Sequence, residues 1–167
     1  RRGIAANRIA LVPNGINTPG PCTPLSPTPP ELTGRPSVVG YVGSFNPYEG
    51  LPDLLQAAAR LVQRGFDLAL LLVGGSHAMG LVGPGVSVPC PASDELHSLA
   101  ASLGIADRLV LPGRVSTDQV GSYYALMDVV VLPRRFLPVC ELVSPMKPLE
   151  AVAYGKPVLM SSVAPLA

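Results

Sequence analysis

SVVGYVGSFNPYEGLPDLLQAAARLVQRGFDLALLLVGG, residues 37–75, contains two apolar runs closed by glycine and separated by an amphipathic stretch. Ser37 to Val42 is rich in β-formers and ends at Gly43-Ser44. After the loop FNPYEG, apolar residues recur at Leu51, Leu54, Leu55, Ala58, Leu61 and Val62, the spacing of one helix face through Arg64. From Asp67 to Val73 the run is continuously apolar after its first residue and is closed by Gly74-Gly75. Strands without polar alternation are buried on both faces, as in a parallel sheet covered by helices.

The same alternation continues along the chain. Ser93 is a candidate N-cap for a helix through Leu103, with Gly104 as its stop. Leu109 to Leu111 reads as a short strand, Thr117 as the cap of a helix through Leu126, and Asp128 to Leu132 as a strand. Ser144 can cap a helix with Pro145 in its first position, running to Tyr154 and stopped by Gly155. Val158 to Met160 is the last strand. Ser76 to Ala92 has no periodicity and reads as a loop. Upstream, Arg8 to Pro13 reads as a short strand and Thr18 to Pro36 as a proline-rich connector. The expected fold class is α/β, a parallel β-sheet with helices on both faces. Residues 1–36 form an incoming strand and connector, and residues 37–167 one domain.

Composition excludes several functions. A hydrophobic content of 48% argues against disorder, and a net charge of +1 without a basic run argues against a nucleic-acid surface. Cys22, Cys90 and Cys140, with His77 and His97, form no CxxC and no zinc-ligand set. No stretch is apolar enough to span a bilayer, so no transmembrane segment is expected. Idle thiols and the absence of an apolar leader suggest a cytoplasmic chain, at most peripheral to a membrane. The missing Met at the start, and a strand just before Ala167, suggest a piece of a larger protein.

Ligands of parallel sheets bind beyond the carboxyl ends of the strands. Those ends carry Gly43-Ser44, Gly74-Gly75, Gly113-Arg114 and Pro133-Arg134. Glycines admit an anion to backbone amides, and arginines such as Arg114, Arg134 and Arg135 suit a diphosphate. Lys147, in a helix's first turn, opposes the helix dipole, which makes sense where an anion visits. Glu141 and Glu150 could accept paired sugar hydroxyls. Each feature also has an ordinary reading: strand-ending turns, a surface arginine, a solvated lysine, a helix-face carboxylate.

VPNGI (12–16), GYVGSFNPYEGL (40–51), LLLVGG (70–75), LPGRV (111–115), YYALMDVVVLPRR (123–135) and ELVSPMKPLEAVAYGKPV (141–158) appear in that order. Together they resemble the C-terminal domain of family 4 glycosyltransferases. The resemblance implies the Rossmann-like donor-binding half of a two-domain GT-B enzyme, incomplete at its C-terminus. Such an enzyme transfers a hexosyl group from a nucleoside-diphosphate sugar, UDP- or GDP-linked, with retention and without a metal or other cofactor. The acceptor, a glycan or lipid, would use an N-terminal domain.

Carried over by residue, Glu150 would hold the donor ribose and Glu141 would lie close to the transferred sugar. The amides of Leu142, Val143 and Ser144 would approach that sugar and the diphosphate, beside Gly43 and Ser44. Arg114 and Val115 would flank the base. Three features depart from the family pattern. Eight residues, not seven, separate Glu141 from Glu150. Ser44 and Tyr48-Glu49-Gly50 stand where many members have an arginine and a lysine, so Arg134 or Arg135 with Lys147 is expected to supply the charge. Ser76 to Ala92 looks like an insertion. No Asp-X-Asp occurs to bridge a metal. Two alternatives are a non-catalytic nucleotide-binding module and a GT-B sugar-nucleotide epimerase.

Overall fold

A computed structural model describes residues 3, 5–10, 12, 14–16, 19–20, 22–35, 37–75, 91–142 and 144–163. Five strands form one sheet: β1 (Val38–Ser44), β2 (Ala69–Gly75), β3 (Leu109–Gly113), β4 (Val129–Leu132) and β5 (Val158–Met160). They alternate with α1 (Leu51–Gln63), α2 (Pro91–Ser102), α3 (Val120–Leu126), α4 (Pro138–Leu142) and α5 (Lys147–Ala153). All pairings are parallel, in the order β3-β2-β1-β4-β5. The chain steps outward from β1 to β3, then returns to add β4 on the other side of β1. The border of β1 and β4 is therefore the switch point of the sheet, and the loops leaving these two strands line a crevice at their carboxyl ends.

Leu70, Leu71 and Leu72 have no exposed surface, as an apolar strand between two helical layers requires. Tyr41, Leu55, Tyr124, Met127 and Leu132 are as deeply buried. Gly40 lies where a Cβ would run into Met127 Sδ, so its bare backbone admits that side chain onto the sheet. The amide of Val38 donates to Asp128 Oδ2 at 2.7 Å and fastens the start of β1 beside β4.

Several boundaries differ from expectation. No strand forms at residues 9, 10 and 12, and Ile9 and Val12 are exposed, so this run buries no strand face. The connector instead closes a 3-10 turn at Pro30–Leu32 and buries Leu32. α2 begins at Pro91, so Ser93 lies within its first turn rather than capping it. Ser116 Oγ donates to Gln119 Oε1 at 2.9 Å, which closes a turn before α3 and makes Gln119, not Thr117, the residue before the helix. α5 starts at Lys147, two residues late, because Pro148 lacks an amide proton and fits only the first turn. The expected loop at 76–92 lies mostly outside the described residues, and its last two residues are helical.

Candidate functional site

At the carboxyl ends of β1 and β2 the chain bends away on paired glycines. Gly43 and Gly74 face each other in the ladder, with φ of 149° and 141°, values that side chains rarely adopt. A Cβ on Gly74 would overlap the Gly43 carbonyl. Above them lies a cleft of roughly 250 Å³ lined by Gly43, Ser44, Gly74, Gly75, Arg114 and Val115, among others. Ser44 Oγ accepts from Asn46 Nδ2 at 3.0 Å, which leaves its own proton for a ligand. The Tyr41 hydroxyl donates to Ser44 O at 2.9 Å and steadies the turn from below; burial pushes that phenol well above its usual range.

A charged cluster adjoins this cleft on the side of the crevice. Lys147 Cε and Nζ fill the place a Gly43 Cβ would take, with Nζ 3.1 Å from it. The ammonium donates to Glu49 Oε1 at 2.5 Å and lies 5.1 Å from the Tyr41 ring centroid. Burial holds Lys147 below the ordinary lysine value, and the Glu49 carboxylate opposes that shift. Arg134 is buried, with Nε 3.8 Å from Glu49 Oε2 and its guanidinium 5.6 Å from the Tyr48 ring centroid. The β1–α1 and β4–α4 loops that carry Glu49 and Arg134 touch: Arg135 N donates to Tyr48 O at 3.0 Å. A Cβ on Gly50 would strike the Pro133 carbonyl.

The structure thus brings Gly43, Ser44, Arg114 and Val115 into one cleft and sets Lys147 and Arg134 beside it. It turns Arg135 away: its guanidinium makes two bonds to Asp53, at 2.7 and 2.9 Å, on the outer surface. Glu150 is half-buried on α5, and its charge acts on Tyr124, Tyr154 and Lys147. Among the described residues its carboxylate takes part in no hydrogen bond or ion pair. Glu141 and Leu142 are exposed on the short α4, and Ser144 is exposed after it. Val143 lies outside the described residues. The described cysteines, Cys22 and Cys140, are free thiols. Among the described residues no group of three His, Cys, Asp or Glu could hold a metal ion, and no helix is long and apolar enough to cross a membrane.

Sequence reasoning missed Glu49 as a member of this cluster. The loop holding it was singled out, but nothing in local spacing couples Glu49 to Lys147, 98 residues away. The one available signal was an acidic residue where a cation was expected.

A doubly wound parallel sheet with glycine turns, a cleft and cations at its switch point is a Rossmann-like domain of the GT-B kind. Residues 36–167 match the family model described as "Glycosyl transferases group 1", and the chain belongs to that family. D-inositol 3-phosphate glycosyltransferase of Rhodococcus opacus is 34% identical over 134 residues, which is 79% of this chain and 27% of that protein. The chain therefore spans about a quarter of that relative's length. Sucrose-phosphate synthase of Thermosynechococcus elongatus superposes with a TM-score of 0.55 at 28% identity, over 78% of this chain and 29% of that one. Anabaena HepE, solved with UDP and glucose, superposes with a TM-score of 0.54 at 22% identity, over 83% of this chain and 35% of that one.

Proposed function

We propose that this chain is the donor-binding domain of a retaining glycosyltransferase. The protein containing it would pass a hexosyl group from a nucleoside-diphosphate sugar to an acceptor hydroxyl. The observation that carries the reading is the joint at Gly43, where an open glycine cleft meets a lysine ammonium at the sheet's switch point. Bare amides and a fixed cation are what a diphosphate needs. The base would lie by Arg114 and Val115, and the ribose on Glu150, whose carboxylate has no hydrogen-bond or ion-pair partner to give up among the described residues. HepE's UDP and glucose lend the same class of ligand to a related fold.

In the proposed reaction the bond from the anomeric carbon to the diphosphate breaks, and the diphosphate leaves with the electron pair. The acceptor oxygen bonds to that carbon from the same face, and its proton passes to the departing phosphate oxygen. Lys147, with Arg134 behind it, would stabilise the developing charge in place of a bridging metal. Glu141, with the amides of Leu142, Val143 and Ser144, would approach the transferred sugar after α4 shifts from its exposed position. The acceptor glycan or lipid would bind mainly outside this chain.

The test is consumption of UDP- and GDP-sugars by the intact protein, with calorimetry of the diphosphates. Glu150→Gln removes a charged acceptor from the ribose, a loss of about 1.5–3 kcal/mol, or roughly ten- to a hundredfold in affinity. Unchanged affinity in that variant would remove Glu150 from the site. Nucleotide binding without any sugar turnover would favour the second reading, a non-catalytic module, for which Glu49 in the phosphate loop speaks.

A further inference from the structure

Glu49 closes the β1–α1 loop with 2% of its surface exposed, a depth at which a carboxylate is costly unless compensated. Two cations compensate it: Lys147 on Oε1 and Arg134 facing Oε2. Glu49 does more than neutralise charge. It also fixes geometry. A lysine side chain has four rotatable carbons, yet here the ammonium is held between Glu49, the Tyr41 ring and the backbone of Gly43. Lys147 keeps 16% of its side-chain surface exposed at that rim.

We propose that Glu49 is a positioning residue that keeps the Lys147 ammonium charged and aimed over Gly43, where it meets the donor's diphosphate. The proposal rests on the donor-site reading given above. Burial and the Arg134 charge both push Lys147 toward its neutral form, while Glu49 and Glu150 hold the proton on. Tyr41 faces the same ammonium with a phenol that stays protonated. Loss of the Glu49 charge leaves the two neutralising influences opposed only by Glu150. Lys147 would then shed its proton at lower pH and lose its tether.

Calorimetry of UDP and GDP binding to the intact protein from about pH 6 to about pH 11, past the ordinary lysine value, in wild type, Glu49→Gln and Glu49→Asp, tests this. Ionisation of the nucleotide is common to all three. Glu49→Gln is expected to weaken binding several-fold at neutral pH and to move the alkaline fall in affinity to lower pH. Glu49→Asp, which keeps the charge, is expected to restore most of the wild-type profile. Coincident profiles for wild type and Glu49→Gln overturn the proposal and leave the donor site standing. Tighter binding by Glu49→Gln at every pH does the same, since Glu49 would then only compete with the ligand for Lys147. Absence of UDP and GDP binding in wild type overturns the donor-site reading and the proposal with it. Should neither variant fold, NMR titration of the wild-type Lys147 ammonium decides: it should titrate higher with the diphosphate bound, and an unmoved titration overturns the proposal.

Discussion

Gly74 shows how narrowly the strand-end turns are specified. Its φ of 141° is open to glycine and closed to most side chains, and any Cβ would meet the Gly43 carbonyl rather than a side chain able to swing aside. Gly74→Ala should therefore cost about 1–3 kcal/mol from backbone strain alone, read as a lower urea midpoint. Because the displaced carbonyl belongs to Gly43, the same variant should weaken diphosphate binding. The glycine pair was legible as a strand-end signal in the sequence. That the two lie side by side follows from the register of β1 on β2, which no local pattern states.

Within α1 the periodic residues are not equivalent. Leu55 is wholly buried, whereas Leu61, on the same predicted face, is 37% exposed. Val62, next to it in the last turn, packs against the core, and Leu61 lies at the edge of the buried face. Leu55→Ala should destabilise by about 2–5 kcal/mol, and Leu61→Ala by about 0.5 kcal/mol or less, in paired denaturation curves. Strand β2 was readable as an element, though expected at 67–73 rather than Ala69–Gly75, because an uninterrupted apolar run has one comfortable environment, the middle of a parallel sheet. The helix starts at 91, 120 and 147 were misplaced by two or three residues. Candidate caps stood nearby in each case, and the choice between them depended on turns such as Ser116–Gln119 and on where Pro148 could fit. α4 was missed altogether: five residues carry too little periodicity to announce a helix.

Across the molecule, the connector is fastened to the edge opposite the cleft. Arg35 bonds Asp67 at 2.8 Å and Asp107 at 3.2 Å, while Arg108 reaches the same Asp67 oxygen. The two guanidiniums hold the Asp67 carboxyl below its ordinary value, and Arg135 does the same to Asp53. A carboxyl whose folded value is depressed adds stability above its unfolded value, near pH 4, and loses it as pH falls through the lowered one. Asp67→Asn should therefore lower stability at neutral pH, modestly because the pairs are solvent-screened, and flatten the acid side of the stability-against-pH curve below about pH 4 by the same amount. An unchanged acid limb would mean that the bridges do not persist in solution.

The sequence by itself determined that the chain folds as a parallel α/β sheet, near which glycines the first three strands end, and which family it resembles. Those are consequences of periodicity, glycine placement and short motifs, all local. Tertiary structure alone decided which charges meet. It paired Arg135 with Asp53 at the surface, kept the Glu150 carboxylate out of any ion pair among the described residues, and set Lys147 against Glu49 over Gly43. The reason is topological: the return of the chain from β3 to β4 brings the 49, 134 and 147 segments to one crevice. Coulomb forces at a few ångströms then fix partners that sequence distance cannot rank.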